Sequence, residues 1–76
     1  MNYVKLPESD DPEMMYLISK WYKKVGDYVN QGDALLSYEA EKTVEDFVSP
    51  FTGVIKEICA PEDEPIEAGS VVCIIG

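Results

Sequence analysis

Tyr38-Glu39-Ala40-Glu41-Lys42-Thr43-Val44 lies just past the middle of a 76-residue chain, and its reading decides the fold. Apolar segments flank it, Ala34 to Tyr38 before and Val44 to Val48 after. Each is short and rich in the side chains that suit a pleated, half-buried surface, so each reads as a strand. The residues between them then form the tip of a tight β-turn, with Lys42 at the crossing point. Local chemistry argues against such a turn. Two-residue hairpin loops favour Asn-Gly, because their central residues need positive φ, and Glu41-Lys42 has no glycine beside it. A broken local rule marks either a place where function overrides propensity or a wrong turn assignment. The local sequence does not choose between them.

Working outward, Tyr3-Val4-Lys5-Leu6 reads as a short strand stopped by Pro7, and Glu8 through Glu13 as an exposed, turn-rich loop. Met14 to Tyr22 is ambiguous. Met14, Leu17, Ile18 and Trp21 fit one helix face, while the β-branched and aromatic content fits a strand. Val25-Gly26-Asp27 and Gln31-Gly32-Asp33 are turn signals, with Asp27 and Asp33 expected to cap them. Ser49-Pro50 ends the strand after Lys42, Thr52-Gly53 opens another over Val54–Ile58, and Pro61 to Pro65 is an acidic loop. Gly69 precedes the last strand, Val71 to Ile75. Six or seven short strands separated by frequent turns predict an all-β sandwich or barrel. That pattern decides Met14–Tyr22 in favour of strand.

The chain also repeats itself weakly. Placing Gly32 on Gly69 brings Ile18 onto Ile55, Trp21 onto Ile58, Val29 onto Ile66 and Leu35 onto Val72. Each half reads as strand, turn, short strand, glycine, strand, with the region around Lys42 as the hinge. Two such halves make a quasi-two-fold barrel.

The composition excludes several function classes. Seventy-six residues make one small domain, residues 1–76, too small for an elaborate active-site cleft. Fifteen carboxylates against six basic residues, net charge -9, argue against a nucleic-acid or anionic-membrane partner. The absence of histidine removes imidazole acid-base catalysis and His-type zinc sites. Cys59 and Cys73 lie in apolar runs and are expected to be buried, reduced thiols of an intracellular protein. Trp21 and Tyr22 are expected to pack in the core and at a sheet edge, and Met14 and Met15 to fill gaps in the core.

An ordered set of residues carries a resemblance. Glu39-Ala40-Glu41-Lys42-Thr43, Asp46, Ser49-Pro50 and Gly53-Val54-Ile55 resemble the lipoyl domain of 2-oxo acid dehydrogenase acyltransferases. That family has a Glu-Thr-Asp-Lys-Ala turn followed by a strand, a Ser-Pro and a Gly-Val. Upstream, Val25-Gly26-Asp27, Val29, Gly32-Asp33 and Leu35 match its Gly-Asp…Gly-Asp segment, and downstream Glu67-Ala68-Gly69 matches the glycine before its last strand. The resemblance implies a flattened β-barrel of two four-stranded antiparallel sheets. It implies lipoate joined to the ε-amine of Lys42, with Glu39, Ala40, Glu41 and Thr43 as the context read by a lipoate ligase or lipoyl transferase. It implies three further partners: a 2-oxo acid decarboxylase, an acyltransferase catalytic domain and a flavin-dependent dihydrolipoyl dehydrogenase. Glu8, Ser9, Asp10 and Asp11 fall where the family's partner-recognition loop lies. The chain departs from the family at Ala40, at the paired charges Glu45-Asp46 and in that loop.

A carrier of this kind is expected to be non-catalytic and monomeric as an isolated domain, with no membrane contact. Its expected location is the cytoplasm of a bacterium or archaeon, or the mitochondrial matrix of a eukaryote. It is expected to be either the first domain of a longer acyltransferase or a free-standing carrier. The nearest rival is a biotin carrier, whose turn resembles Ala-Met-Lys-Met rather than Glu41-Lys42-Thr43. An unmodified β-barrel used for binding or assembly is a second, and the longer glycine-cleavage carrier a third.

Overall fold

Eight strands and no helix make up the computed structural model, which describes all 76 residues. In chain order the strands are β1 (Asn2–Lys5), β2 (Met15–Trp21), β3 (Tyr28–Val29), β4 (Ala34–Ala40), β5 (Thr43–Val48), β6 (Gly53–Ile58), β7 (Pro65–Glu67) and β8 (Val71–Ile75). They form two four-stranded sheets, ordered β1-β8-β6-β3 and β5-β4-β2-β7, with every pairing antiparallel. This is the expected all-β architecture. The Met14–Tyr22 ambiguity resolves as strand β2, where Tyr16 and Ile18 are buried and their neighbours Met15 and Leu17 are more exposed. That alternation has a period of two, and it splits the apparent helix face between opposite sides.

Eight strands exceed the expected six or seven. β3 and β7 have two and three residues, too short to leave a periodic signal of their own. Pro65 was expected to close a loop and instead opens β7, an edge strand, the position in a sheet where a missing amide proton is tolerated.

The quasi-two-fold symmetry extends to the irregularities. Exchanging β1 with β5, β2 with β6, β3 with β7 and β4 with β8 converts one sheet order into the other. Ser19 is the extra residue where the β2–β4 register shifts, and Lys56 is the extra residue where β6–β8 shifts. Leu35 and Val72 are likewise extra in the β4–β5 and β1–β8 ladders. Both pairs are related by the same offset as Gly32 and Gly69. The turns match too: Gly26 N–H donates to Ile55 O at 2.9 Å, and Asp63 N–H donates to Ile18 O at 2.8 Å. Each half therefore pins its turn onto the other half's strand.

Residues alternating along the strands fill the space between the sheets. Val4, Ile18, Val29, Leu35, Leu36, Ile55, Val72, Cys73 and Ile75 are fully buried there. Burying each large aliphatic side chain stabilises by about 1.5–3 kcal/mol. Trp21 packs partly against this core and its indole N–H donates to Ala60 O at 2.8 Å. Met14 packs against the core, but Met15 lies largely exposed on the opposite face. Tyr22 is also exposed. Cys73 is buried as expected, but Cys59 is exposed, and both thiols are free. The register explains the difference. Ile58 stands opposite Cys73 at the end of β6, so Cys59 follows the last strand residue and turns out to solvent.

Candidate functional site

The hairpin tip comes first. Ala40 pairs with Thr43 and Glu39 with Val44, leaving Glu41 and Lys42 as a two-residue loop. Glu41 adopts φ 54, in the left-handed region. Of the two residues only Glu41 has positive φ, which suits a turn of the II′ kind, where the first central residue alone needs it. The tight turn expected from the sequence is present, and a glutamate takes the conformation usually left to glycine. The Thr43 hydroxyl closes the tip by donating to Ala40 O at 3.0 Å. Glu39, Glu41, Lys42 and Thr43 are exposed and Ala40 is half-buried.

The base of the hairpin is stiffened by aromatic packing. The Tyr38 ring stands edge-on to Tyr16, with centroids 5.1 Å apart, and to Phe47 at 6.3 Å. Pairs with this geometry add about 0.5–1.5 kcal/mol beyond area burial. The two unexpected charges on β5 each accept a tyrosine hydroxyl: Tyr38 donates to Glu45 Oε2 at 3.2 Å and Tyr22 to Asp46 Oδ1 at 2.8 Å. Burial and then Glu45 push the Tyr38 hydroxyl above its ordinary pKa. At Tyr22 the hydrogen bond to Asp46 is the leading cause of the rise. These bonds hold β5 against β4 and against Tyr22, the residue that follows β2, and neither involves the Lys42 side chain.

The loop between β1 and β2 lies at the same end. Tyr16, near the start of β2, pairs with Ala40 at the end of β4. Its hydroxyl donates to Pro7 O at 3.0 Å. Within the loop Asp11 N–H donates to Ser9 Oγ at 3.2 Å, Glu13 N–H to Asp11 Oδ1 at 2.9 Å, and Met14 N–H to Asp11 O at 3.1 Å. The Glu8 side chain lies against Gly69, where an added Cβ would meet Glu8 Cγ at 3.1 Å. Glu8, Ser9, Asp10 and Asp11 are all exposed.

Symmetry shows that this loop is longer than the fold needs. Leu6 and Ser49 occupy equivalent places: both are buried, and their N–H groups donate to Ser70 O and Asp33 O, which are themselves equivalent. Their offset is 43, whereas β2 and β6 are offset by 37. The loop at the Lys42 end therefore carries six residues that Ser49–Thr52 does without. The sequence signal for this insertion was the pair of dipeptides Leu6-Pro7 and Ser49-Pro50, which do not share the offset of the glycines.

The remaining expectations concern the turns and their surroundings. Asp27 and Asp33 cap their turns, accepting from Lys24 N at 3.0 Å and Asn30 N at 2.8 Å. The surface has no pocket, and no three His, Cys, Asp or Glu side chains converge as a metal cage. No helix is long and apolar enough to cross a membrane.

The two-sheet body thus holds one exposed lysine, Lys42, on a two-residue hairpin loop. Residues 4–75 match the Biotin_lipoyl family model, described as "Biotin-requiring enzyme", and the chain belongs to this biotinyl/lipoyl family. It is 34% identical over 76 residues to the dihydrolipoyllysine-residue succinyltransferase component of the 2-oxoglutarate dehydrogenase complex of Staphylococcus saprophyticus, covering 100% of this chain and 18% of that protein. It is 38% identical over 73 residues to the dihydrolipoyllysine-residue acetyltransferase component of the pyruvate dehydrogenase complex of Corynebacterium glutamicum, covering 96% of this chain and 11% of that protein. This chain thus spans less than a fifth of either relative. Among solved structures, the lipoyl domain of the 2-oxoglutarate dehydrogenase complex of Azotobacter vinelandii superimposes with a TM-score of 0.80 at 23% identity, covering 97% of this chain and 94% of that one. The urea carboxylase of Kluyveromyces lactis matches with a TM-score of 0.68 at 29% identity, covering 100% of this chain and 7% of that one.

Proposed function

We propose that this chain is a lipoyl carrier domain, with lipoate held in amide linkage on Lys42. The observation that carries this reading is the exposed lysine at the tip of a two-residue hairpin, backed by a hairpin base with no slack. A carrier needs that combination. The attachment point must enter other proteins' active sites, and the body behind it must not fold over the arm. Amide formation on Lys42 removes its charge. When bound, lipoate supplies a dithiolane that takes up two electrons and carries an acyl group as a thioester. The domain supplies presentation, and the chemistry belongs to the cofactor and to the sites it visits.

Tethering turns diffusion between sites into a local search at high effective concentration. The proposed partners are a lipoate ligase or lipoyl transferase, a 2-oxo acid decarboxylase, an acyltransferase catalytic domain and a dihydrolipoyl dehydrogenase. Glu39, Ala40, Glu41 and Thr43 present the lysine to the modifying enzyme. Glu8, Ser9, Asp10 and Asp11 are read by the decarboxylase; the six-residue excess of their loop, which the symmetric connection lacks, supports a role outside folding. The domain itself is non-catalytic and monomeric, and works in the cytoplasm, or in the mitochondrial matrix of a eukaryote.

Intact mass tests the reading after co-expression with a lipoate ligase and, separately, a biotin ligase, with Lys42→Ala as control. A lipoyl-sized gain that vanishes in the variant is expected. A biotin-sized gain would move the domain to the biotin carriers, a reading that the urea carboxylase likeness favours and the Glu41 and Thr43 flanks oppose. No gain with either ligase on a folded chain would overturn both.

A further inference from the structure

The outer face of the lysine-bearing sheet has a row of its own beside the hairpin. Val44 on β5 stands opposite Glu39 on β4, Glu39 opposite Leu17 on β2, and Leu17 opposite Pro65 on β7. Tyr16, Ile18 and Tyr38 are buried between the sheets. Alternation therefore places Leu17 and Glu39 on the outside. At the end of the sheet Met15 stands opposite Glu67. Val44 is 62% exposed and Met15 44% exposed. Apolar side chains and carboxylates thus interleave across four strands, beginning two residues from Lys42.

The internal symmetry provides a control for this arrangement. The equivalent row at the opposite end runs Met1, Gly76, Val54, Tyr28, with Val54 bonded to Gly76 through both backbone groups and paired with Tyr28. That row is apolar as well, so the fold tolerates exposed apolar side chains at both ends. The charges differ. Glu39 corresponds to Gly76, and Glu67 corresponds to Asn30. Neither glutamate side chain is required by the architecture, since the symmetric positions hold Gly76 and Asn30. Glu39 and Glu67 also make no side-chain hydrogen bond, unlike Glu45 and Asp46 farther down β5.

We propose that this outer face, Val44, Leu17 and Met15 interleaved with Glu39 and Glu67, is a docking surface for the 2-oxo acid decarboxylase. The partner's complementary face carries an apolar patch rimmed by lysine and arginine, at the mouth of the active site that the Lys42-borne arm enters. The inference rests on the carrier reading above and adds the chemistry of the surface that reads it. Apolar contact supplies buried area, and the carboxylates select a cationic rim and reject an acidic one. The face is continuous with the hairpin, so a partner bound there receives Lys42 without reorienting the domain.

The test uses the full chain carrying lipoate, confirmed by mass. It is offered to a pyruvate decarboxylase component and a 2-oxoglutarate decarboxylase component of dehydrogenase complexes, each with its own 2-oxo acid, and kcat/KM for acyl transfer to the chain is measured. The variant is V44T with E67K; the control is Y28T, in the row at the other end. With whichever decarboxylase accepts the wild-type chain, the double variant is expected to lose ~10-fold or more in kcat/KM, equivalent to one decade of docking, while gaining lipoate normally. Y28T is expected to stay within ~2-fold, and the wild-type rate to fall as salt screens the charges. Wild-type rates for the double variant, an equal loss in Y28T, or no acylation of the wild-type chain above the rate of free lipoamide would each overturn the proposal. Failure of the carrier reading is seen separately, as absence of the lipoyl mass before any decarboxylase is added.

Discussion

The hydroxyl of Tyr16 donates a 3.0 Å hydrogen bond to the carbonyl of Pro7, nine residues earlier in the chain. The same tyrosine pairs through its backbone with Ala40, the last residue before the Glu41-Lys42 turn, and packs its ring against Tyr38. One side chain thus fastens the β1–β2 loop to the strand that carries the hairpin. Tyr16→Phe keeps the ring and removes the tie. A net loss of about 0.5–1.5 kcal/mol is expected, the usual worth of one hydrogen bond. Hydrogen exchange of the amides of Asp11, Glu13 and Met14 should speed up more than exchange in β6 and β8. Uniform acceleration across both sheets would mean that the bond serves the whole fold rather than the loop.

The six-residue excess of that loop leads to a second expectation. Removing Glu8 through Glu13 makes the β1–β2 connection as long as its symmetric counterpart, Ser49–Thr52. The deletion lies outside every strand and spares Leu6 and Pro7. It removes the contact of Glu8 with Gly69 and the turn around Asp11. The shortened chain should unfold cooperatively in urea, with a midpoint close to that of the full chain, and should still gain lipoate on Lys42. Acyl transfer from the decarboxylase should fall. A shortened chain that does not fold would show the loop to be structural; one acylated at the full rate would remove recognition from Glu8, Ser9, Asp10 and Asp11.

Five of the six longer strands were legible from local signals, namely alternation, turn residues and prolines at strand ends. β2 was settled only by the all-β pattern around it, and the hairpin by the strands on either side, because the local chemistry of Glu41-Lys42 argues against a tight turn. The repeat was legible because Gly32 and Gly69 fall at one offset with an apolar set around them. Several things were hidden. β3 and β7 are too short to show a period, although the repeat set Val29 against Ile66, which lie in them. Exposure of Cys59 depends on where β6 stops, and Ile58-Cys59-Ala60 does not announce that boundary. The row Val44, Glu39, Leu17, Pro65 joins four strands through register alone, and register is fixed by side-chain patterns and turns acting together. The turn itself was placed correctly, and its broken rule was real. What the sequence could not show is that only Glu41 carries the strain.

Glu41 and Asp63 are the two residues other than glycine with positive φ, at 54 and 65. Asp63 is the symmetric counterpart of Gly26, which has φ 96. A β-carbon in the left-handed region costs about 1–2 kcal/mol, and glycine avoids that cost at the expense of greater freedom in the unfolded chain. Asp63→Gly and Glu41→Gly should therefore be neutral or stabilising by up to about 1 kcal/mol. Glu41→Val, branched at Cβ and less tolerant of this conformation, should be at least about 1 kcal/mol less stable than Glu41→Gly. Urea midpoints measured side by side decide this. If the valine variant matches the glycine variant, the turn has moved to a conformation without positive φ.

Cys73 is fully buried, and its thiol is pushed up to about 11, first by burial and then by the nearby Cys59. An unfolded chain would release the same proton near pH 9. Between these values the unfolded state binds fewer protons than the folded state, so stability falls as pH rises. Below about pH 9 both states hold the proton and the thiol adds no pH dependence. A shift of about two units, at 1.36 kcal/mol per unit, corresponds to a full loss of about 3 kcal/mol, of which about 2 kcal/mol falls between pH 9 and pH 11. Tyrosines also titrate in this range, and burial raises Tyr38 as well, so the comparison must isolate the thiol. Cys73→Ala leaves a small cavity and should be less stable than the parent at pH 7. Its deficit should shrink by up to about 2 kcal/mol between pH 9 and pH 11, because the parent alone pays for keeping a buried thiol protonated. Urea unfolding of both chains at four pH values provides the measurement. A deficit that stays constant would mean that Cys73 reaches solvent readily and ionises in place.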